Sequence, residues 1–335
     1  MKRIAQIASL IVTALAVAAG IGAGQAGAAP TQIKHPKLKN GLLSIEGSKR
    51  SDRLALRLQA GDPGVLLIDV GDDGYADFRV AREDVERIDL DAAGGDDLVR
   101  VDESNGAFGD IPLTIDGGAD DDSLAGGSGA ELLLGNDGND SIDGNRGNDV
   151  AFTGGGDDTF VWDPGDGNDV IEGQEGTDTM LFDGAGGPEQ VELSANGNRL
   201  RFFRTQGNVT MDTRSVERVD FNALGGADLV TVNDLTGTDV RSVNVDLAGT
   251  LGGAAGDSAA DRVVVNATNG NDAIVVDGNA GGVRASGLAA TVGILHSEAA
   301  NDRLEINTLA GTDTVDSGGL AAGMIQLFVD GALVP

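Results

Sequence analysis

The sequence predicts an all-β protein: a parallel β-roll in the middle of the chain, flanked on both sides by further regions of repeated β-strand. Three observations carry this reading. Between residues 117 and 181 glycine, asparagine and aspartate recur with a nine-residue period, as in "GNDGNDSIDGNRGNDV" (135–150). Four longer segments outside that block align with one another as strand–turn–strand units. Nothing between those segments has the apolar spacing of a long amphipathic helix.

Composition narrows the function classes. The 335 residues include 54 acidic and 23 basic side chains, a formal charge of −31. That balance argues against a nucleic-acid partner, which needs a basic face. The charge is concentrated: residues 117–183 hold 17 Asp or Glu and a single basic residue, Arg146. High charge with modest hydrophobicity is also a signature of disorder, but the fixed spacing of apolar residues in the block weighs against it. There is no cysteine, and the two histidines, His35 and His296, are far apart in sequence. Disulfide staples and Cys/His zinc sites are therefore excluded, and both histidines are expected on the surface with no site role.

At the N-terminus, Lys2 and Arg3 precede an apolar stretch, Ile4 to Val17, and the small residues Ala26-Gly27-Ala28. This order predicts a secretory signal peptide over 1–28, cleaved before Ala29, and an extracellular protein. No later stretch is apolar enough to span a bilayer. Residues 29–50 are expected to be a linker, and the polar, basic stretch 31–50 within them reads equally as a first edge strand. An N-terminal β region should follow over 51–115. It contains "VLLIDVGDDGYADFRV" (65–80), which reads as a hairpin around Asp72-Asp73-Gly74, with Asp69, Asp73 and Asp77 forming an acidic turn. It also contains the first of the aligned units, "RIDLDAAGGDDLV" (87–99).

The middle block, 116–183, divides into nonamers from Gly117, with a two-residue insertion at Trp162-Asp163. The sixth positions are Asp122, Glu131, Asp140, Asp149, Asp158, Asp169 and Asp178. The eighth are Leu124, Leu133, Ile142, Ala151, Phe160, Ile171 and Met180. This pattern, G-G-x-G-x-D-x-U-x, resembles the haemolysin-type (RTX) calcium-binding repeat family. The departures are Glu131 for Asp, Asp120 for a turn glycine, and Thr153 and Pro164 at first positions. The resemblance implies calcium binding at the sixth-position acids. It does not imply an export route, since many members of that family carry a C-terminal signal.

The spacing leads to the same place. Six Gly/Asn-rich residues make a tight turn, and the remaining three make a short strand with the eighth residue inward. Two nonamers then make one coil, and coils stack at strand spacing, about 4.8 Å. One row of acids is Asp122, Asp140, Asp158 and Asp178; the other is Glu131, Asp149 and Asp169. Carboxylates stacked this closely need a cation between them. Calcium, which takes 6–8 oxygen ligands from carboxylates and backbone carbonyls, suits the turn better than magnesium does. Adjacent pairs in the two rows give about five Ca2+ ions. One apolar residue per nonamer is too little core for the block to fold without metal, so binding and folding are expected to be coupled.

The C-terminal repeated β region, 184–335, holds the other three aligned units: "RVDFNALGGADLV" (218–230), "RVVVNATNGNDAI" (262–274) and "RLEINTLAGTDTV" (303–315). Each should place its arginine outside and its alternating apolar residues inside. The end of the chain, "GMIQLFVDGALVP", reads as a final strand. For the whole protein, a structural or adhesive extracellular role is expected, with calcium ions and a cell surface or extracellular polysaccharide as partners and no catalytic residues. The alternative is a secreted hydrolase of glycosidase, protease or lipase type that uses the calcium roll as a folding aid. Against it stand the lack of H-E-x-x-H, of a G-x-S-x-G elbow around Ser128, and of aromatic residues for a sugar cleft.

Overall fold

The computed structural model describes residues 33–335; the expected signal peptide lies outside the described residues. The chain winds between two long sheets, one of 15 strands and one of 14, and nearly every strand joins one or the other in turn. The helical content of the described residues is three short 3-10 turns, and no helix among them is long and apolar enough to cross a membrane.

In the block the two sheets are built as the nonamer predicts. Leu132–Asp137, Val150–Gly155 and Val170–Glu175 run parallel in the first sheet, with Leu133 opposite Ala151 and Ala151 opposite Ile171. Ser123–Ala125, Ser141–Asp143, Thr159–Trp162 and Thr179–Asp183 do the same in the second, aligning Leu124, Ile142, Phe160 and Met180. All seven eighth-position side chains are buried. The inserted pair at Trp162-Asp163 leaves the register beyond it unchanged: Ala151 still lies opposite Ile171 and Phe160 opposite Met180. Trp162 is fully buried and stacks on Phe182 at 3.9 Å. Phe182 in turn meets Phe202 and Phe221, so the core becomes aromatic where the short coils give way to larger ones.

Both flanks continue these sheets. Upstream, Leu113–Ala119 pairs with Leu132–Asp137, and Arg87–Asp91 with Leu113–Ala119. Of the two readings for this stretch, linker or first edge strand, the second holds over 37–46: Lys37–Lys39 and Leu42–Glu46 form a hairpin on the end of the first sheet. The alternation in "LLSIE" buries Leu43 and Ile45, and this outweighs the basic composition. The exposed Lys37 and Lys39 then sit on the outermost strand, where charge discourages pairing with another chain. The 65–80 segment is a hairpin, with Ile68 opposite Phe78.

The four aligned units each begin a strand with their arginine, and the second and fourth residues turn inward: Ile88 and Leu90, Val219 and Phe221, Val263 and Val265, Leu304 and Ile306. Three of these strands lie in the first sheet, where Arg262 is directly opposite Arg303. Arg218–Asn222 lies in the second. A coil has two similar turns, one at each edge, so the same strand–turn–strand sequence serves at either. Three-stranded antiparallel detours interrupt the winding at residues 190–214 and 273–295. The chain ends in Gln326–Val329 and Ala332–Leu333.

The coils approach so closely that the fourth position of the nonamer is glycine in six of the seven, Asp120 in the first being the exception. A Cβ on Gly156 (φ +142°) would lie 1.9 Å from the carbonyl oxygen of Gly138 one coil earlier. Gly165 has a similar φ of +125° but open space beside it. Gly165→Ala should therefore cost only backbone strain, about 1–3 kcal/mol, whereas Gly156→Ala must also push two coils apart and should cost distinctly more. Thermal unfolding at saturating calcium checks this; equal losses would contradict the stacking described.

Candidate metal centre

The acids at the sixth positions end six-residue turns at the two edges of the roll. Asp122, Asp140, Asp158 and Asp178 lie where the chain passes from the first sheet to the second; Glu131, Asp149 and Asp169 lie on the return edge. Each carboxylate folds back beneath its own turn. In the five turns that begin with glycine, that glycine leaves the space: a Cβ on Gly135 would lie 2.3 Å from Asp140 Oδ2, and one on Gly117 2.4 Å from Asp122 Oδ2.

A single hydrogen bond then repeats up each edge. The backbone N–H of one acid donates to Oδ1 of the acid one coil later. The distances are 2.8 Å for Asp122 to Asp140, 2.8 Å for Asp140 to Asp158 and 3.0 Å for Asp158 to Asp178. On the return edge they are 2.8 Å for Glu131 to Asp149 and 2.8 Å for Asp149 to Asp169. The first row runs further than the nonamers: Asp97 N–H donates to Asp122, Asp52 N–H to Asp97, and Asp178 N–H to Glu217 Oε2. The sequence signal for Asp52 and Asp97 was the same six-residue turn ending in an acid, but at spacings far from nine; Glu217 comes three residues after the strand Val209–Arg214 and carries no such signal.

The other carboxylate oxygen has no such partner. Oδ2 of Asp122, Asp140, Asp149, Asp158, Asp169 and Asp178 is buried without a hydrogen bond. Glu131 differs, because its longer side chain reaches its own turn and Oε2 accepts from Gly127 N–H at 3.1 Å. Burial is the main cause that raises every carboxyl of the two rows above the ordinary range. Asp122 reaches about 6, Asp140, Asp169 and Asp178 about 7, and Asp149 about 8; Asp158 and Glu131 move in the same direction.

A buried carboxylate oxygen without a donor is costly, and none of the ion pairs among the described residues involves these seven acids. The donor set fits calcium. Each step of a row offers hard carboxylate oxygens from two coils beside a Gly-rich turn with its carbonyls stacked along the edge. Among the described residues no three His, Cys, Asp or Glu side chains converge, so a cation here must draw on backbone carbonyls as well, as calcium does. Residues Asp122, Asp140, Asp158, Asp178, Asp149 and Asp169 would hold it, with Glu131 the weakest contributor.

Other candidate groups take structural roles. Asp69 accepts from Arg57 at 2.5 Å and from the N–H groups of Asp73 and Gly74. Ser128 Oγ donates to Glu103 at 2.8 Å. His35 packs edge-on against Phe78. His296, expected to be a plain surface residue, pairs through Nδ1 with Asp246 at 2.6 Å, while the neighbouring Ser297 hydroxyl is donated to the Met324 carbonyl.

The raised carboxyls fix the sign of the pH dependence. Their protons are held more tightly in the fold than in the unfolded chain, so with metal removed the folded state binds more protons between about pH 4 and 8. Stability should fall as pH rises through that window. Excess calcium should displace those protons and flatten or reverse the trend. Thermal melting followed by Trp162 fluorescence in chelator and in calcium, at pH 5, 6, 7 and 8, tests this; melting in chelator that improves toward pH 8 would contradict it.

A family model for the RTX calcium-binding nonapeptide repeat matches the chain in 4 copies, over residues 114–130, 125–160 and 165–185. Among curated proteins, none matches the chain. The matched segments contain all seven of the stacked sixth-position acids, and the middle of this chain is an RTX calcium-binding repeat block.

Proposed function

We propose that the chain is a secreted, non-catalytic calcium-binding repeat protein in which ions held between stacked turns complete the fold, with a structural or adhesive role outside the cell. The observation that carries this reading is the run of six buried aspartate oxygens without a partner, repeated coil after coil. An isolated site of this kind would be a local curiosity. A run of them means that the middle of the fold either holds protons along its length or takes its counter-charge from outside the chain. Counting adjacent pairs gives about five ions in the block, three on one edge and two on the other.

Secretion is supported by the Lys2-Arg3, apolar and Ala-Gly-Ala order of the leader and by the match between the low affinity of extracellular calcium sites, roughly 10⁻⁴–10⁻³ M, and calcium supply outside cells. A non-catalytic role is supported by the fate of the hydroxyl and imidazole groups: the Ser128 and Ser297 hydroxyls are both engaged by acceptors within the fold. A cell surface or an extracellular polysaccharide is the partner class we infer. Its acidic groups could share calcium with the exposed acids of the turns, Asp121, Asp137 and Asp157.

Circular dichroism and Trp162 fluorescence of the chain in chelator, calcium and magnesium test the central claim. Trp162 is the sole tryptophan and lies in the block. Calcium, but not equimolar magnesium, should increase β signal and bury the indole. Above saturation, each tenfold rise in calcium should add about 1.4 kcal/mol of stability per bound ion, so the slope reports the number of ions. Identical spectra and melting in chelator and calcium would overturn the proposal.

A further inference from the structure

The row on the first-to-second-sheet edge continues two coils before the matched repeats, into turns that depart from the nonapeptide. These are "GSKRSD" (47–52) and "AAGGDD" (92–97). They lie outside the residues matched by the family model, and one begins with alanine rather than glycine. Yet their acids behave like those of the block. Asp52 N–H donates to Asp97 Oδ1 at 2.5 Å, and Asp97 N–H to Asp122 Oδ1 at 2.8 Å. Asp52 is 0% and Asp97 3% exposed. Asp52 Oδ1 and Asp97 Oδ2 are both buried without a partner.

The rest of the molecule shows how this fold neutralises a buried acid by itself. Asp69 has Arg57 against it, both buried. Glu189, which heads a second row of stacked acids on the return edge, has Arg204. Farther along that row Asp302 has no cation among the described residues but has a donor on each oxygen, Asp261 N–H on Oδ1 at 3.0 Å and Glu298 N–H on Oδ2 at 2.6 Å, whereas Asp52 accepts from Ser48 N–H at Oδ2 alone. No arginine or lysine among the described residues pairs with Asp52 or Asp97, and no donor meets their free oxygens. They share the condition of the repeat acids, not of the self-neutralised ones.

We propose that the calcium row extends beyond the repeat block to Asp52, with one ion at the Asp97–Asp122 step and one at the Asp52–Asp97 step. The ligands are the two carboxylates of each step and carbonyls of the turns at 47–52, 92–97 and 117–122. Such donors are hard oxygens, and calcium rather than a thiophilic or imidazole-seeking metal fits them. The inference rests on calcium binding by the repeats themselves.

Two measurements on the full chain test it. Asp97→Asn keeps an oxygen for the Asp52 N–H while removing the charge and one ligand oxygen. Equilibrium dialysis with radioactive calcium should give two fewer ions per chain for this variant than for the wild type. Asp110→Asn, an equal loss of charge at an exposed surface site, should leave the count unchanged. Should Asp97→Asn fail to fold, anomalous diffraction from wild-type crystals grown in calcium decides: density at both N-terminal steps bears the proposal out. Calcium confined to the steps between Asp122 and Asp178 and the return row, or an unchanged count in folded Asp97→Asn, overturns this extension alone. A wild type that binds no calcium at any step overturns the reading of the repeats with it.

Discussion

The structure depends on one repeated interaction: a carboxylate oxygen accepting the backbone N–H of the acid one coil earlier. That bond sets the height and phase of each turn on the last, and the strands on either side inherit their register from it. It also buries a negative charge at every step. At strand spacing, about 4.8 Å, neighbouring carboxylates in a medium of effective dielectric about 20 repel by roughly 3–4 kcal/mol per pair. The device that positions the coils is therefore also the chief electrostatic load on them. The fold can keep it only where each acid is protonated or faces a positive charge.

The molecule uses two kinds of positive charge. In the larger coils there is room for an arginine to reach inward: Arg57 meets Asp69, and Arg204 lies between Glu189 and the face of Trp162. In the nonapeptide coils there is not. Six residues make the turn, three make the strand, and the side chain that faces inward is needed for the core. Arg146 stands in one of these turns, but it is exposed and pairs with none of the stacked acids; an arginine that reached inward would have to displace either the acid or the glycine under which the acid folds. Short coils thus exclude an internal counter-charge by geometry, and what remains is a small cation that enters from solvent and binds oxygens already in place.

How much of this was legible in the sequence follows from spacing. The block was readable because its coil length is constant: the paired acids are 18 residues apart, or 20 across the insertion, and both the apolar and the acidic positions stay in phase. Along the same edge, Asp52 and Asp97 are 45 residues apart, Asp97 and Asp122 are 25, and Asp178 and Glu217 are 39. Hairpins such as Asp62–Val70 with Phe78–Ala81, and detours such as 190–214, add residues between turns without disturbing the stack. Periodicity cannot reveal a row whose period varies. At 37–46 the lysines left a linker and an edge strand both open, and the alternation of Leu43 and Ile45 is what makes the strand. His296 escaped because its partner, Asp246, is 50 residues away on the neighbouring strand of the same sheet.

The two flanks and the block differ in how much core each strand buries. Arg53–Gln59 turns Leu54, Leu56 and Leu58 inward; Arg303–Asn307 turns in Leu304 and Ile306. Ser123–Ala125 and Ser141–Asp143 bury one residue each, Leu124 and Ile142. Apolar burial per residue is thus least where the acids are densest. Since both sheets run unbroken from one flank to the other through 116–183, the weakest apolar core and the largest charge load fall on the segment that joins them. On the calcium reading, the ions therefore act at that joint: by neutralising the acids of the middle coils they would hold the two flanking β regions in one continuous solenoid, and removing them would unload the joint first.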